Sequence, residues 1–285
     1  MILVTGATGS NGRELLKRLA AFGVAVRAMV RKKTGHEDER LRGVELATAD
    51  FDDDESLARV LEGVDSAFLV TNSSERAEEQ QMRFVERASA AGVRHIVYLS
   101  QLHSAKNSPV RFLRYHAAVE DAISSSGMAY THLRPNLYMQ GLLAFASSIK
   151  FEGRILAPAG DTRVSIVDVR DIAAVAAEAL TRNGHEGKIY DITGPESLTH
   201  AELAAHLSQT LGKEVTFVDI PESAMRSALL SFGFPEWQTD GIIEDYAHYR
   251  RGEASAISSH VQEVTGRPPR TFLKFARDYR QAFMP

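Results

Sequence analysis

The chain of 285 residues contains no cysteine. Disulfides, thiolate metal sites and a cysteine nucleophile are therefore excluded. It has no apolar run long enough to span a membrane, and no basic leader with an apolar core ahead of its first apolar run. It has no surplus of positive charge. The formal net charge is −4, with both signs mixed along the chain, so the electrostatic footprint of a nucleic-acid binder is missing. Internal repeats, low-complexity tracts and Pro- or Gly-rich linkers are also missing. These absences predict a soluble, cytoplasmic globular protein of one large or two modest domains, with no nucleic-acid or membrane partner. No metal site is expected. The densest acidic run, Asp50 to Glu55, reads as a loop and helix start, where carboxylates suit the helix dipole.

What is present begins at the first residue. Met1-Ile-Leu-Val-Thr5 is a short apolar, β-branched run, and Arg13 to Ala20 has helical spacing. Between them lies Gly6-Ala-Thr-Gly9-Ser-Asn-Gly12. Strand, glycine loop and helix form the setting of a dinucleotide fingerprint. One glycine permits the turn, another lets backbone approach a diphosphate, and a third lets helix and strand pack closely. The helix start then offers unpaired N–H groups to the phosphates.

Further strands are predicted at 23–30, 44–49, 66–71 and 95–100, with helical segments at 56–61 and 75–91 between them. The alternation implies a doubly wound parallel sheet with helices on both faces. Ligands of such sheets lie beyond the carboxyl ends of the strands. That rule places Gly6, Arg31, Asp50, Thr71 and Ser100 near one rim. The second strand ends Val30-Arg31-Lys32-Lys33, and no acid precedes Glu37. A carboxylate there would grip a ribose hydroxyl, whereas a guanidinium binds a 2′-phosphate. One charged hydrogen bond of that kind gives a preference on the order of ten- to a hundredfold for NADP(H) over NAD(H). Asp50 has two readings: it accepts from an adenine amino group, or it caps the helix at Ser56.

The motifs Val4-Thr-Gly-Ala-Thr-Gly9, Ala91 to Ser100, Ser126 to Pro135, Val164 to Ala173 and Gly266 to Phe272 resemble the NmrA-like branch of the atypical short-chain dehydrogenases. Within it the pattern is most similar to the dye and quinone reductases. The resemblance runs nearly end to end. It implies an α/β chain: a Rossmann-type doubly wound parallel sheet with a smaller α/β C-terminal substrate region. Residues 1–150, with 164–194 returning, would form the NADP-binding domain; 151–163 and 195–285 would form the substrate region. The resemblance also implies that Thr8, Ser10 and Asn11 face the diphosphate. Val70, Thr71 and Asn72 would pass under the adenosine and ribose, and Pro135, Asn136 and Tyr138 would approach the nicotinamide. For Tyr138, ordinary aromatic packing is the alternative. The family includes reductases and also NADP-binding regulators without known turnover, and both remain open. A homodimer is also left open.

Ordinary short-chain dehydrogenases use Tyr-x-x-x-Lys, whose lysine tunes the tyrosine as a proton donor. None of the eight tyrosines here has a lysine four residues on. Tyr115-His-Ala-Ala-Val-Glu120 instead matches the family's His-x-x-x-Glu variant, which implies that His116 positions the nicotinamide ribose or relays a proton. An ordinary helix-surface pair of His116 with Glu120 is the alternative. Without a tyrosine acid, an electron-poor conjugated acceptor such as a quinone or aromatic dye is expected, because charge arriving there is delocalised. Stacking alone then removes much of the barrier.

The C-terminal part is read more coarsely. Asp168 and Asp171 are expected to cap a helix over 172–180, and Thr199-x-x-Glu202 is a capping pattern. Phe232, Phe234, Trp237, Tyr246 and Tyr249 are either core or an apolar lid over the substrate.

Overall fold

The computed structural model describes residues 1–32 and 43–284; Lys33 and Glu37 of the sequence reading lie outside them. The elements run β1 (Ile2–Val4), α1 (Ser10–Ala21), β2 (Val26–Val30), β3 (Val44–Thr48), α2 (Asp54–Leu61), β4 (Ser66–Leu69), α3 (Ala77–Ala90), β5 (His95–Leu99), α4 (Arg111–Ser125) and β6 (Ala129–Pro135). A 3₁₀ segment, Met139–Phe145, follows, and then α5 (Ala146–Glu152), β7 (Arg154–Ala157), α6 (Val169–Thr181) and β8 (Lys188–Ile192). The chain ends with α7 (His200–Leu211), β9 (Thr216–Asp219), α8 (Glu222–Ser231), α9 (Glu236–Arg250), α10 (His260–Thr265) and α11 (Phe272–Asp278).

Seven strands form one sheet in the order β3-β2-β1-β4-β5-β6-β8. The pairs from β3 across to β6 are parallel, with Leu3 opposite Arg27 and Ala67, and Val97 opposite Thr131. The doubly wound sheet expected from the alternation is therefore present, and its order reverses between β1 and β4. β1 and β5 are buried along their whole length, as strands covered on both faces must be. β2 starts three residues later than predicted, because Gly23 (φ +68°) closes the turn after α1.

The chain divides into two compact units. The first comprises 1–107, 113–134 and 172–190. Its core packs Leu3, Leu69, Ile96 and Tyr98 against Leu57, Phe84 and Val119 from the helices. The second comprises 108–112, 135–171 and 191–285. Thus 135–150, grouped with the first domain on sequence, belongs to the second unit. In place of 164–194, only 172–190 returns to the first. The physical reason is that β6 ends at Pro135, after which the Asn136 amide bonds Ser165 and Ala254 within the second unit.

The second unit has its own core of Ile149, Ile155, Leu207, Tyr249, Phe272 and Phe283, and its own two-stranded parallel pair, β7 with β9. β7 was not anticipated from the sequence. Thr199 and Glu202 form the expected capping box of α7. Asp168 accepts from Arg170 N–H at the start of α6, as a cap does. Asp171 does not cap: buried, it binds Arg270 through that residue's backbone N–H and guanidinium. The aromatic group splits. Tyr246 and Tyr249 are core, Trp237 packs on Phe112 at 5.4 Å, and Phe232 is 77% exposed.

Candidate active site

The loop between β1 and α1 gives each glycine a different task. Gly6 adopts φ +57°, and a Cβ there would lie 2.5 Å from Val70 Cγ1. This is the turn glycine. A Cβ on Gly12 would lie 2.2 Å from Gly6 O and 2.9 Å from Ala7 Cα, so Gly12 is the packing glycine. Gly9 meets only Gly6 O, at 3.3 Å, and has an ordinary backbone conformation (φ −77°). It is exposed with Thr8 and Ser10, and the protein itself makes little use of its missing side chain. Gly9 is the N-cap of α1, no side chain caps that helix, and its first turn carries no acid. Asn11 is buried, and its Oδ1 has no partner. Open N–H groups and a bare glycine at one helix start fit a diphosphate.

Thr5, which sequence reasoning treated only as strand, locks this loop to the next strand. Its hydroxyl lies 2.9 Å from Val70 O and accepts Val70 N–H at 2.8 Å. A buried threonine at a strand end was the available signal. Beyond it, Val70 and Thr71 are half-buried and Asn72 is exposed. Thr71 Oγ1 accepts from Gln81 Nε2.

Arg31 and Lys32 stand exposed past the end of β2, and neither forms an ion pair with a described residue. Asp50 does not cap α2. Asp53 does so, accepting from Glu55 and Ser56 N–H. The Asp50 carboxylate is exposed and, among the described residues, accepts only Asp52 N–H, at 3.0 Å. Ser100, at the end of β5, is buried with its N–H on Leu133 O.

On α4, His116 is buried, and its Nδ1 lies 2.6 Å from the phenol oxygen of Tyr98 on β5. Burial pushes the imidazole down to about 3, against a weaker upward pull from Glu120. Its ring lies 4.1 Å from that of Tyr115, whose hydroxyl is 3.3 Å from Ser73 Oγ. The helix-surface pairing of His116 with Glu120 is not found. Glu120 is buried too, and Arg134 holds it with paired hydrogen bonds, one of 2.9 Å from Nε. Burial drives the Glu120 carboxyl up, but the Arg134 bonds outweigh it and leave it below its ordinary value. Burial also pushes His132 down to about 4, beside Ser124 Oγ at 3.1 Å and stacked on Tyr130 at 4.5 Å. At neutral pH these imidazoles are uncharged. Burial holds the Tyr98 phenol well above its ordinary value. None of His116, Tyr98 and Glu120 is an acid of near-neutral strength.

Pro135 closes β6, and Asn136 and Tyr138 lie in the second unit. Both Asn136 amide hydrogens are committed there, to Ser165 Oγ at 2.9 Å and Ala254 O at 2.8 Å. Its Oδ1 accepts Leu137 N–H. This amide thus clasps distant segments of the second unit. Tyr138 is half-buried in the wall of a pocket that also involves Leu142, His200 and Tyr246. Among the described residues no cluster of acids or histidines could hold a metal, and no helix is long and apolar enough to cross a membrane.

The chain is similar end to end to proteins of known activity. It is 37% identical to the NAD(P)H azoreductase of Xenophilus azovorans over 99% of each chain. It is 39% identical over the whole of both chains to the (4-alkanoyl-5-oxo-2,5-dihydrofuran-3-yl)methyl phosphate reductase of Streptomyces griseus subsp. griseus. Its structure superposes with a TM-score of 0.89, at 30% identity, on the Escherichia coli NADPH-dependent quinone oxidoreductase QOR2 complexed with NADPH, covering 98% of this chain and 100% of that one. The NmrA-like family profile matches residues 1–264, and the chain belongs to the NmrA-like family.

Proposed function

We propose that this protein reduces quinone-like or conjugated aromatic acceptors with hydride from NADPH. It is an oxidoreductase that uses NADP(H). NADPH supplies a hydride, and the acceptor takes that hydride and one proton from solvent. A quinone leaves as hydroquinone and the cofactor as NADP⁺.

The observation that carries the acceptor class is the state of the Tyr98–His116–Glu120 cluster. His116 is uncharged, Tyr98 is a weaker acid than a free phenol, and Glu120 is an ion-paired carboxylate. A plain ketone needs a proton as its alkoxide forms. Acceptors that delocalise the incoming charge do not need one in that step. The relatives that reduce azo, quinone and unsaturated furanone compounds support the same class.

The chain's own residues do the positioning. Thr8, Gly9, Ser10 and Asn11 present the start of α1 to the diphosphate, and Arg31 meets the 2′-phosphate. With Nδ1 on Tyr98, His116 has Nε2 left for a ribose hydroxyl, as a neutral hydrogen-bonding group rather than a proton carrier. The test is NADPH oxidation, followed optically, against quinones, azo dyes and simple ketones. Turnover with the first two and little with the third is expected. Tight NADPH binding with no turnover on any acceptor would instead make the protein a cofactor sensor.

A further inference from the structure

The buried face of α3 is apolar at Ala77, Phe84, Val85 and Ala88, at helical spacing, and is interrupted by one polar side chain, Gln81. Gln81 is 1% exposed, and its Oε1 has no hydrogen-bond partner. An unpaired buried amide oxygen costs stability, and an apolar side chain of the same length would avoid that cost. Core packing therefore does not account for a glutamine here. What the amide does make is one bond: its Nε2 donates to Thr71 Oγ1 at 2.5 Å.

Thr71 lies just past Leu69, the end of β4. The backbone leading to it is fixed, because the Thr5 side chain bonds both Val70 N–H and Val70 O, and Val70 Cγ1 closes on Gly6. The sheet order reverses between β1 and β4, so Thr71 stands at the switch point, where ligands of doubly wound sheets lie. Arg31 follows β2, on the other side of β1. A threonine hydroxyl has one hydrogen to donate and lone pairs to accept with. A lone pair of Thr71 is engaged by Gln81, so its hydrogen points away from that amide, and no acceptor for it stands among the described residues. The side chain is half-buried, open to a ligand on its outer side.

We infer that Gln81 is a positioning residue for the cofactor: its amide holds the Thr71 hydroxyl with the hydrogen outward, as a donor to an oxygen of the bound nucleotide. That oxygen is one that NADPH and NADH share, since the 2′-phosphate belongs on the Arg31 side of β1. The inference rests on the reading of this rim as the cofactor site. It explains why α3 keeps a buried amide with an unpaired oxygen in an otherwise apolar stripe.

The probes are NADPH and NADH, titrated on the full chain by nicotinamide fluorescence, beside thermal melts of Gln81→Met, Thr71→Val and the double variant. Gln81→Met keeps the length and removes the unpaired oxygen, so it should melt no lower than the unmodified protein. It should still weaken both cofactors about threefold, because a hydroxyl released among its staggered positions must be ordered again on binding. Thr71→Val should weaken both about three- to tenfold, the worth of a neutral hydrogen bond, and Thr71→Ser should recover most of that loss. The double variant should bind no more weakly than Thr71→Val alone, since Gln81 acts through that hydroxyl. Unaltered affinities in Gln81→Met, losses that add in the double variant, or a loss confined to NADPH would overturn the assignment. A lower melt of Gln81→Met with unaltered affinities would make Gln81 a core residue and nothing more. The expected pattern in a protein that reduces no acceptor would support the positioning role and end the reductase reading. An unmodified protein that binds neither cofactor would overturn both.

Discussion

The phenol oxygen of Tyr98 lies 2.6 Å from His116 Nδ1, with both side chains buried. The contact joins β5 to α4 and holds an imidazole uncharged where a cofactor ribose is expected. The charge state has a consequence for folding. Burial pushes His116 to about 3 and both His132 and His200 to about 4, while an unfolded histidine takes its proton near 6.5. Below about 6.5 the unfolded chain therefore binds more protons. Stability rises with pH through that window and is lost as the pH falls from 6.5 towards 4, by up to about 1.4 kcal/mol per unit per histidine. Denaturant midpoints at pH 7.0 and 5.5 should differ clearly, and His132→Gln should reduce the difference. An identical midpoint at both values would contradict the buried neutral imidazoles.

The glycine loop separates folding from binding. Gly12→Ala drives a methyl into the Gly6 carbonyl and should cost on the order of 2–3 kcal/mol, read as a lower melting temperature. Gly9→Ala meets only one contact, at 3.3 Å, so it should fold with a nearly unchanged melt. It should still weaken NADPH at least tenfold, because the methyl occupies the diphosphate's approach. Normal NADPH affinity in a folded Gly9→Ala protein would remove Gly9 from the cradle.

Much of this was legible because it is local. Gly6, Gly9 and Gly12 declare their turn within seven positions, and Thr199 with Glu202 spells out a cap. The strand–helix alternation follows from apolar runs that two covered faces require. What stayed hidden depends on contacts between distant segments. Tyr98 meets His116 only because α4 packs on β5. Glu120 finds Arg134 across to β6, and nothing near Glu120 in sequence distinguishes it from a surface acid. The Asn136 amide is spent on Ser165 and Ala254, far along the chain. β7 is four residues long and gains its identity only by pairing with β9, about sixty positions away. His200 sits beside a cap signal that accounts for its neighbourhood without revealing the pocket it lines.

The proposed cofactor choice rests on Arg31. Exposed, and without an ion-pair partner among the described residues, its guanidinium is available to a phosphate. NADPH should bind at least several-fold more tightly than NADH, and Arg31→Ala should erase most of the gap by weakening NADPH alone. The preference should also shrink at high salt, since an exposed charge pair is screened. Equal affinities for the two cofactors in the unmodified protein would remove Arg31 from cofactor selection.

Turnover without a tyrosine acid is the sharpest test of the proposed chemistry. The two phenols of the cluster are Tyr115, weakly bonded to Ser73, and Tyr98, bonded to His116. Neither proton is needed in the hydride step to a quinone. Tyr115→Phe should therefore change kcat by less than about threefold, far below the 10²–10⁴ that a general acid contributes. Tyr98→Phe removes the partner of His116 Nδ1 and should act mainly on cofactor affinity, raising the KM for NADPH several-fold with a smaller change in kcat. His116→Ala should do the same more strongly without extinguishing the reaction. The profile of kcat against pH should stay flat between about 5 and 8, because burial keeps His116 from titrating there. A thousandfold fall of kcat in either phenylalanine variant, with NADPH affinity unchanged, would show conventional acid catalysis and return simple ketones to the list of acceptors.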